Sequence, residues 1–398
     1  MTPAPTLSAL DCPDCGAAHD PDAVAGPCPD CGGPLVPEYD LSAVRDALTP
    51  DATDATASVL SAVGLDALLP ISTEDSLALG EGETPLVDAP TLAEDLDVAS
   101  VAVKDEGCNP TGTVADREMA VAVAAAASAG ATDVALPTMG NAGQAAAAAA
   151  ARAGIDSHSF VPSRTPFVNK AMINVHGGDM SVVEGRYSDA RAAFADAMAD
   201  ADWHSLAPFE TPYRQEGVKP IAYESAAARD WTAPDWVVVP TGHVTTLVGV
   251  HRGFAELAAL DLIDSVPRLV AAQSAGCDPL VAAHDAGAAD TTAVETPDSV
   301  CGPLEIPDPA GGSLALDALR ETDGTAVPVA DDDLMAAAAS LAEAGVPTSV
   351  TGGAAVGAVR VLADRGAFAA DDEVVLVNPV SANKEADLMR SYLMSQGI

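Results

Sequence analysis

From residue 98 to the C-terminus, short apolar runs alternate with longer Ala-rich stretches, and this alternation restricts the available folds more than any other feature of the chain. The runs are "VASVAV", "DVALPT", "DSHSFVP", "DMSVVEG", "DWVVVPTG", "RLVAAQS", "TAVPVA" and "EVVLVNP". Runs of this length suit strands covered on both faces, and the stretches between them have helical spacing. Strands of that kind alternating with helices build parallel sheets with helices on either side, so the expected fold class is α/β. The stretch "AGQAAAAAAARAG" (142–154) joins high helix propensity to small side chains and can pack closely on a sheet. Strand groups before and after about residue 220 predict two sheets with a cleft between them, where α/β proteins take ligands.

Ahead of this region, "CPDCGAAHDPDAVAGPCPDCGG" spaces Cys12 and Cys15 by two residues, and Cys28 and Cys31 likewise. Each C-x-x-C followed by Gly can form a tight knuckle that aims two thiolates at one tetrahedral ion. The spacing is that of a zinc ribbon with a closed, structural site. Two disulfides or a chance pairing are the competing readings, and disulfides are disfavoured in an intracellular chain. His19 lies inside the loop and is surplus to four sulfurs, while Cys108, Cys277 and Cys301 are expected to be small buried hydrophobes.

The chain has 398 residues, 59 Asp and Glu against 18 Lys and Arg, and a net charge of −41. Lysine occurs only at 104, 170, 219 and 384, and aromatic residues make up 4%. A hydrated acidic surface of this kind predicts a halophilic, cytoplasmic protein, self-repelling at low salt and screened at high salt. No cluster of Lys or Arg exists to meet phosphates, so nucleic acid is not an expected partner. Anionic membrane surfaces are disfavoured for the same reason, and no apolar run reaches the roughly 18 residues of a membrane span. The N-terminus lacks the basic and apolar regions of a secretory signal.

Several motifs follow in a fixed order. "PLVPEYDL" comes after the ribbon, then "GEGETPLVDAPTLAEDL" (80–96), "VAVKDEGCNPTGTVADR" (101–117), "PTMGNAGQAAAAAAARAG" (137–154), "VVEGRYSDA" (182–190), "PYRQEGVKPIAYE" (212–224) and "VVVPTGHVTTLVGVHRGFAEL" (237–257). Taken together they resemble the threonine synthase family of pyridoxal-phosphate (PLP) enzymes over nearly the whole chain. The resemblance implies PLP fold type II, a two-domain, tryptophan-synthase-β-like α/β fold carrying an N-terminal zinc ribbon. It divides the chain into a ribbon at 1–40, a linker with short helices at 41–79, an N-terminal α/β part with the smaller domain at 80–220, and the C-terminal α/β part of the larger domain at 221–398.

The same resemblance implies site residues and shows three departures. At the position of the family's Schiff-base lysine stands Ala115, within "NPTGTVADR". Only a primary amine condenses reversibly with the cofactor aldehyde and then yields to the substrate amine, which a methyl group cannot do. The family's Gly-rich phosphate loop is here Gly242, His243, Val244, Thr245 and Thr246. Two glycines are thus lost, but hydroxyls able to meet an anion remain. His243 would aid an anion if protonated, though a lone turn histidine is more often incidental. Near the C-terminus, where the family presents a hydroxyl to the pyridine nitrogen, the chain reads Asn378, Pro379 and Ser381. Asn141 corresponds to the residue that meets the cofactor ring, and Lys104, Thr111, Arg117 and Thr138 are candidate substrate or anion contacts.

The expected function is therefore that of a threonine-synthase-like protein that is non-catalytic or repurposed. Its expected ligand is a small anionic metabolite or amino-acid phosphate, and its expected partner a second copy or an active paralogue. The alternative is a working threonine synthase, converting O-phosphohomoserine and water to threonine and phosphate, with PLP held in an atypical way. Thr113, Thr138, His243 and Arg117 show no triad-like spacing, and hydroxyls at helix starts are commonly caps.

Overall fold

A computed structural model describes residues 4–24, 26–48, 58–71 and 77–397. In chain order its strands are β1 (Leu7–Asp11), β2 (Ala18–His19), β3 (Val36–Tyr39), β4 (Leu86–Asp88), β5 (Ser100–Asp105), β6 (Asp133–Pro137) and β7 (Asp156–Pro162). They continue with β8 (Asp179–Val183), β9 (His204–Ser205), β10 (Trp236–Pro240), β11 (Arg268–Ser274), β12 (Thr325–Val329) and β13 (Glu373–Asn378). Each of the eight apolar runs overlaps one of these strands, and seven contain it whole. The chain divides into two compact units, the first comprising Met1–Glu83, Ala115–Ala227 and Ala259–Leu262, the second Thr84–Val114, Ala228–Ala258 and Ile263–Ile398.

The first unit holds a three-stranded antiparallel sheet, β2-β1-β3, and a four-stranded parallel sheet ordered β8-β7-β6-β9. Helix Asn141–Ala153 is buried continuously from Gly143 to Ala150. A stretch of alanines lets one helix be covered nearly all round without crowding its neighbours. The sheet of the ribbon rests on helix Ala115–Ser128 through an apolar cluster containing Leu10, Leu35, Ala125 and Tyr213. Between residues 41 and 79 lie helices Leu41–Ala47 and Val59–Val63 and a 3₁₀ turn at Leu65–Leu68; residues 49–57 and 72–76 of that segment lie outside the described residues.

The second unit is built on a six-stranded sheet ordered β12-β11-β10-β13-β5-β4, parallel except for β4. β10 is buried along its whole length, as a central parallel strand must be. The two sheets do not separate at residue 220 as the strand order suggested. β4 and β5 precede that point yet join the larger sheet, because β5 pairs with β13 over six residues, Glu373↔Ser100 to Asn378↔Asp105. Among the described residues, no helix is long and apolar enough to cross a membrane.

Candidate functional site

The ribbon cysteines converge. Cys12, Cys15, Cys28 and Cys31 place their sulfurs within 4.8 Å of one another, with Cys12 and Cys31 3.5 Å apart and Cys15 and Cys28 3.7 Å apart. Four sulfurs about 2.3 Å from one zinc ion stand about 3.8 Å apart, so the donor set fits a tetrahedral metal. The two knuckles repeat the same backbone pattern: Gly16 N donates to Cys12 O and Gly32 N to Cys28 O, each at 2.8 Å. Both glycines adopt the left-handed conformation that closes such a turn, at φ 73° and 79°. His19 Nε2 lies 3.4 Å from Cys28 Sγ, at the border of the thiol cluster.

Ala115 opens helix Ala115–Ser128 and is 5% exposed, in an apolar cluster with Met119, Ala122, Leu136, Ala146 and Leu206. Arg117, two residues on, gives both terminal nitrogens to Glu224, at 2.7 Å each, with both side chains buried. Glu224 also accepts from Glu83 N at 3.0 Å. The candidate anion ligand Arg117 is thus occupied by a carboxylate of its own chain in a bidentate pair. Arg214 similarly donates Nε to Glu118 Oε2 at 2.8 Å and Nη1 to Leu206 O at 2.8 Å. Lys219 Nζ meets Glu216 Oε2 at 2.7 Å, and the same oxygen accepts from Tyr39 OH at 2.7 Å. The segment "PYRQEGVKPIAYE" carries Arg214, Glu216, Lys219 and Glu224 in and between its two buried helices, but its local sequence holds no signal for their partners.

Thr138 and Asn141 flank the start of helix Asn141–Ala153. Thr138 Oγ1 accepts from Gly140 N (3.0 Å) and Gly143 N (3.2 Å) and so acts as a cap of that helix. Asn141 Oδ1 accepts from Asn169 Nδ2 at 3.2 Å. Gly140 has φ 117°, and a Cβ there would lie 2.7 Å from the Asn169 Cβ and 2.8 Å from Thr165 Cγ2. The sequence held no signal for Thr165 or Asn169, which reach this turn from a different element.

In the second unit, β10 runs into Thr241, Gly242, His243 and Val244 and then into helix Thr245–Ala259. Gly242 is required by packing, since a Cβ on it would sit 2.0 Å from Pro303 O. Thr245 is fully buried, and its Oγ1 has no hydrogen-bond partner among the described residues. The first turn of that helix carries no acidic side chain. A helix N-terminus presents unpaired N–H groups and a partial positive charge, so this turn can accept an anion.

The loop at 109–114 is clipped to the segment after β13 in the same unit. Ser381 N donates to Gly112 O (2.9 Å), Val114 N to Pro379 O (2.8 Å), and Lys384 Nζ to Thr111 O (3.0 Å). Asn378 is 2% exposed and its amide is used at both ends. Its Oδ1 accepts from the Thr348 and Ser349 hydroxyls at 3.0 and 3.1 Å, and its Nδ2 donates to Asp105 Oδ1 at 2.8 Å. Asn378 therefore acts in the packing of β13 and β5. Lys104 is 1% exposed and donates Nζ to Thr84 O at 2.7 Å. Of the single cysteines, Cys277 and Cys301 are buried as expected, whereas Cys108 is exposed beside Asp105.

Two units with parallel sheets, joined to a four-cysteine ribbon, define the α/β fold of tryptophan-synthase-β-like PLP proteins. The family described as pyridoxal-phosphate dependent enzyme matches residues 77–379. Threonine synthase of Methanosarcina acetivorans is 33% identical over 370 residues, 92% of this chain and 90% of the relative. Threonine synthase of Methanocaldococcus jannaschii is 29% identical over 322 residues, 80% of this chain and 79% of the relative. The chain belongs to the pyridoxal-phosphate-dependent enzymes and, within them, to the threonine synthase family. Among solved structures, the L-serine ammonia-lyase of Rhizomucor miehei has a TM-score of 0.68 at 20% identity, covering 79% of this chain and 98% of that one. A lysine-to-alanine mutant of O-ureido-L-serine synthase with O-ureido-L-serine bound has a TM-score of 0.65 at 20% identity, covering 83% and 99%. These two show the fold alone.

The residues present do not fit PLP held as a Schiff base. Ala115 presents a buried methyl group, and each of the four lysines meets an acceptor of its own chain: Lys104 with Thr84 O, Lys170 with Ser163 O, Lys219 with Glu216 and Lys384 with Thr111 O.

Proposed function

We propose that this threonine synthase homologue is a non-catalytic or repurposed member of its family, cytoplasmic and halophilic, that binds a small anionic metabolite of the amino-acid phosphate class. The observation that carries the reading is that position 115 holds a buried alanine while each of the four lysines meets an acceptor of its own chain. Without an amine there, covalent capture of the aldehyde is lost, and loss of a positioned general base alone costs about 10²- to 10⁴-fold in rate. The orphaned Thr245 hydroxyl and the acid-free first turn behind it supply the anion contact. A structural zinc ion at Cys12, Cys15, Cys28 and Cys31 belongs to the same reading. A second copy or an active paralogue is the expected partner.

The second reading is an active threonine synthase holding PLP without a covalent link or on another lysine. It is favoured by the 33% identity over 92% of the chain and by the presence of Asn109, Thr111, Asp116, Arg117 and Asn141.

One experiment separates the two. The protein, purified in high salt with added PLP, is examined for the visible band of lysine-bound cofactor, reduced with borohydride, and mapped for pyridoxyl-lysine. The proposal expects no adduct; a single modified lysine overturns it. Ala115→Lys is expected to recover little PLP affinity, because the loop at 242–246 and the region of Asn378 have also changed. Tight, lysine-bound PLP in that variant would count against the reading.

A further inference from the structure

The ribbon carries one imidazole that its four sulfurs do not need, and the fold aims it at them. His19 lies on β2 directly opposite Leu10 of β1, so the two side chains share one face of the sheet. Leu10 is fully buried in the cluster that also holds Cys12 and Cys28. The His19 side chain follows it inward: it is 14% exposed, and its Nε2 lies 3.4 Å from Cys28 Sγ. Asp30 Oδ2 is 3.9 Å from the same nitrogen, beyond hydrogen-bond reach, on a side chain that is 65% exposed. Among the described residues, no other side chain outside the four cysteines bonds a ribbon sulfur. Gly33 N adds a backbone contact to Cys31 Sγ at 3.4 Å.

A free thiol could take either role in this contact, but a metal-bound cysteine is a thiolate and can only accept. With an ion in the ribbon the proton lies on Nε2, and the contact becomes a charge-assisted N–H···S bond. The charge of the ribbon makes such a donor matter. Four thiolates around a divalent ion leave two negative charges uncompensated. Asp14 and Asp30 sit within the two knuckles, and residues 1–44 contain no Lys or Arg to offset them. Cys28 also belongs to the apolar cluster that contains Ala125 of helix Ala115–Ser128. The position of its sulfur therefore bears on how the ribbon rests on that helix.

Resting on the reading of the four cysteines as a zinc site, we propose that His19 is a positioning residue of that centre. Its Nε2–H donates to the Cys28 thiolate, fixes the sulfur against the ion and draws off part of its negative charge. Removing an outer partner of this kind costs about 10- to 100-fold in metal affinity. The ligand set stays complete without it, but one sulfur is then less well held and more electron-rich.

The test uses the full chain in molar KCl, stripped of metal under reducing conditions, for wild type, His19→Ala and His19→Gln. Each is titrated with Co²⁺ and then with Zn²⁺ against a chromogenic chelator. Wild type is expected to bind cobalt with the sulfur-to-metal charge-transfer band of four thiolates. His19→Ala is expected to bind zinc about 10- to 100-fold more weakly and to move the cobalt band to longer wavelength, because the sulfur without its donor holds its electrons less tightly. His19→Gln, whose amide N–H can reach the same sulfur, is expected to recover most of both effects. A histidine that only fills space would weaken binding without moving the band and would not be rescued by glutamine; either result overturns the proposal, as does unchanged zinc affinity in His19→Ala. A three-thiolate band in wild type that disappears in His19→Ala makes the imidazole a ligand and overturns it as well. Absence of metal binding in all three proteins refutes the zinc reading and the proposal with it, whereas a wild-type ion untouched by His19→Ala refutes the role of His19 alone.

Discussion

Arg117 and Glu224 face each other through two parallel contacts of 2.7 Å, with side chains only 3% and 6% exposed. Removing either partner leaves the other charge buried and unpaired, which costs about 3–5 kcal/mol. Arg117→Ala and Glu224→Ala are each expected to lower the urea midpoint in high salt by that equivalent. The double change Arg117→Met, Glu224→Leu is expected to recover most of the loss. If the single changes prove neutral, the pair is not the support described here.

The four ribbon cysteines are expected to hold close to one zinc ion per chain, measurable by elemental analysis of freshly purified protein. Cys12 and Cys28 lie in the same apolar cluster as Leu10, Leu35 and Ala125. Chelation, or Cys28→Ser, is therefore expected to lower the melting temperature and to loosen the contact of the ribbon with helix Ala115–Ser128. Protein that is free of zinc and equally stable would refute the assignment.

Burial, aided by Arg252, pushes the His251 imidazole down from its ordinary value of 6.5 to about 4. Glu321 Oε2, 3.3 Å from Nε2, acts in the opposite direction, but its side chain is 67% exposed and the attraction is screened by water. The native state therefore excludes a proton that the unfolded chain accepts. Stability from this residue is complete above about 6.5 and declines as pH falls towards 4, by on the order of 3 kcal/mol at most. His251→Gln is expected to flatten that part of the stability–pH curve, as measured by denaturant unfolding across the interval.

With 59 acidic and 18 basic residues, the folded chain repels itself most strongly in dilute buffer. At 1 M salt the Debye length is about 3 Å, and the repulsion is largely removed. The melting temperature is expected to rise from dilute buffer to molar KCl. An unchanged value would count against a halophilic surface.

Much of the site was legible in the sequence because its signals are local. "CPDC" repeated at a fixed interval specifies two knuckles, and the absence of an amine at Ala115 is a matter of one position. Asn141, Thr138 and the turn at 242–246 fall at helix starts, as the strand and helix pattern predicts. Other roles could not be read that way. Glu224, the partner of Arg117, lies 107 residues further along the chain, and Thr348, Ser349 and Asp105, which meet the Asn378 amide, lie 30, 29 and 273 residues from it.

The sequence by itself determined the family, the α/β pattern, the ribbon spacing and the alanine at position 115, since periodicity, spacing and residue identity are properties of the local chain. Tertiary structure alone decided that β4 and β5 join the larger sheet, which lysines and arginines are already paired, and which apolar side chains remain in water. Sheet order and ion pairing depend on contacts between residues far apart in the chain, where the energy of burial selects the partner and local sequence carries no record of it.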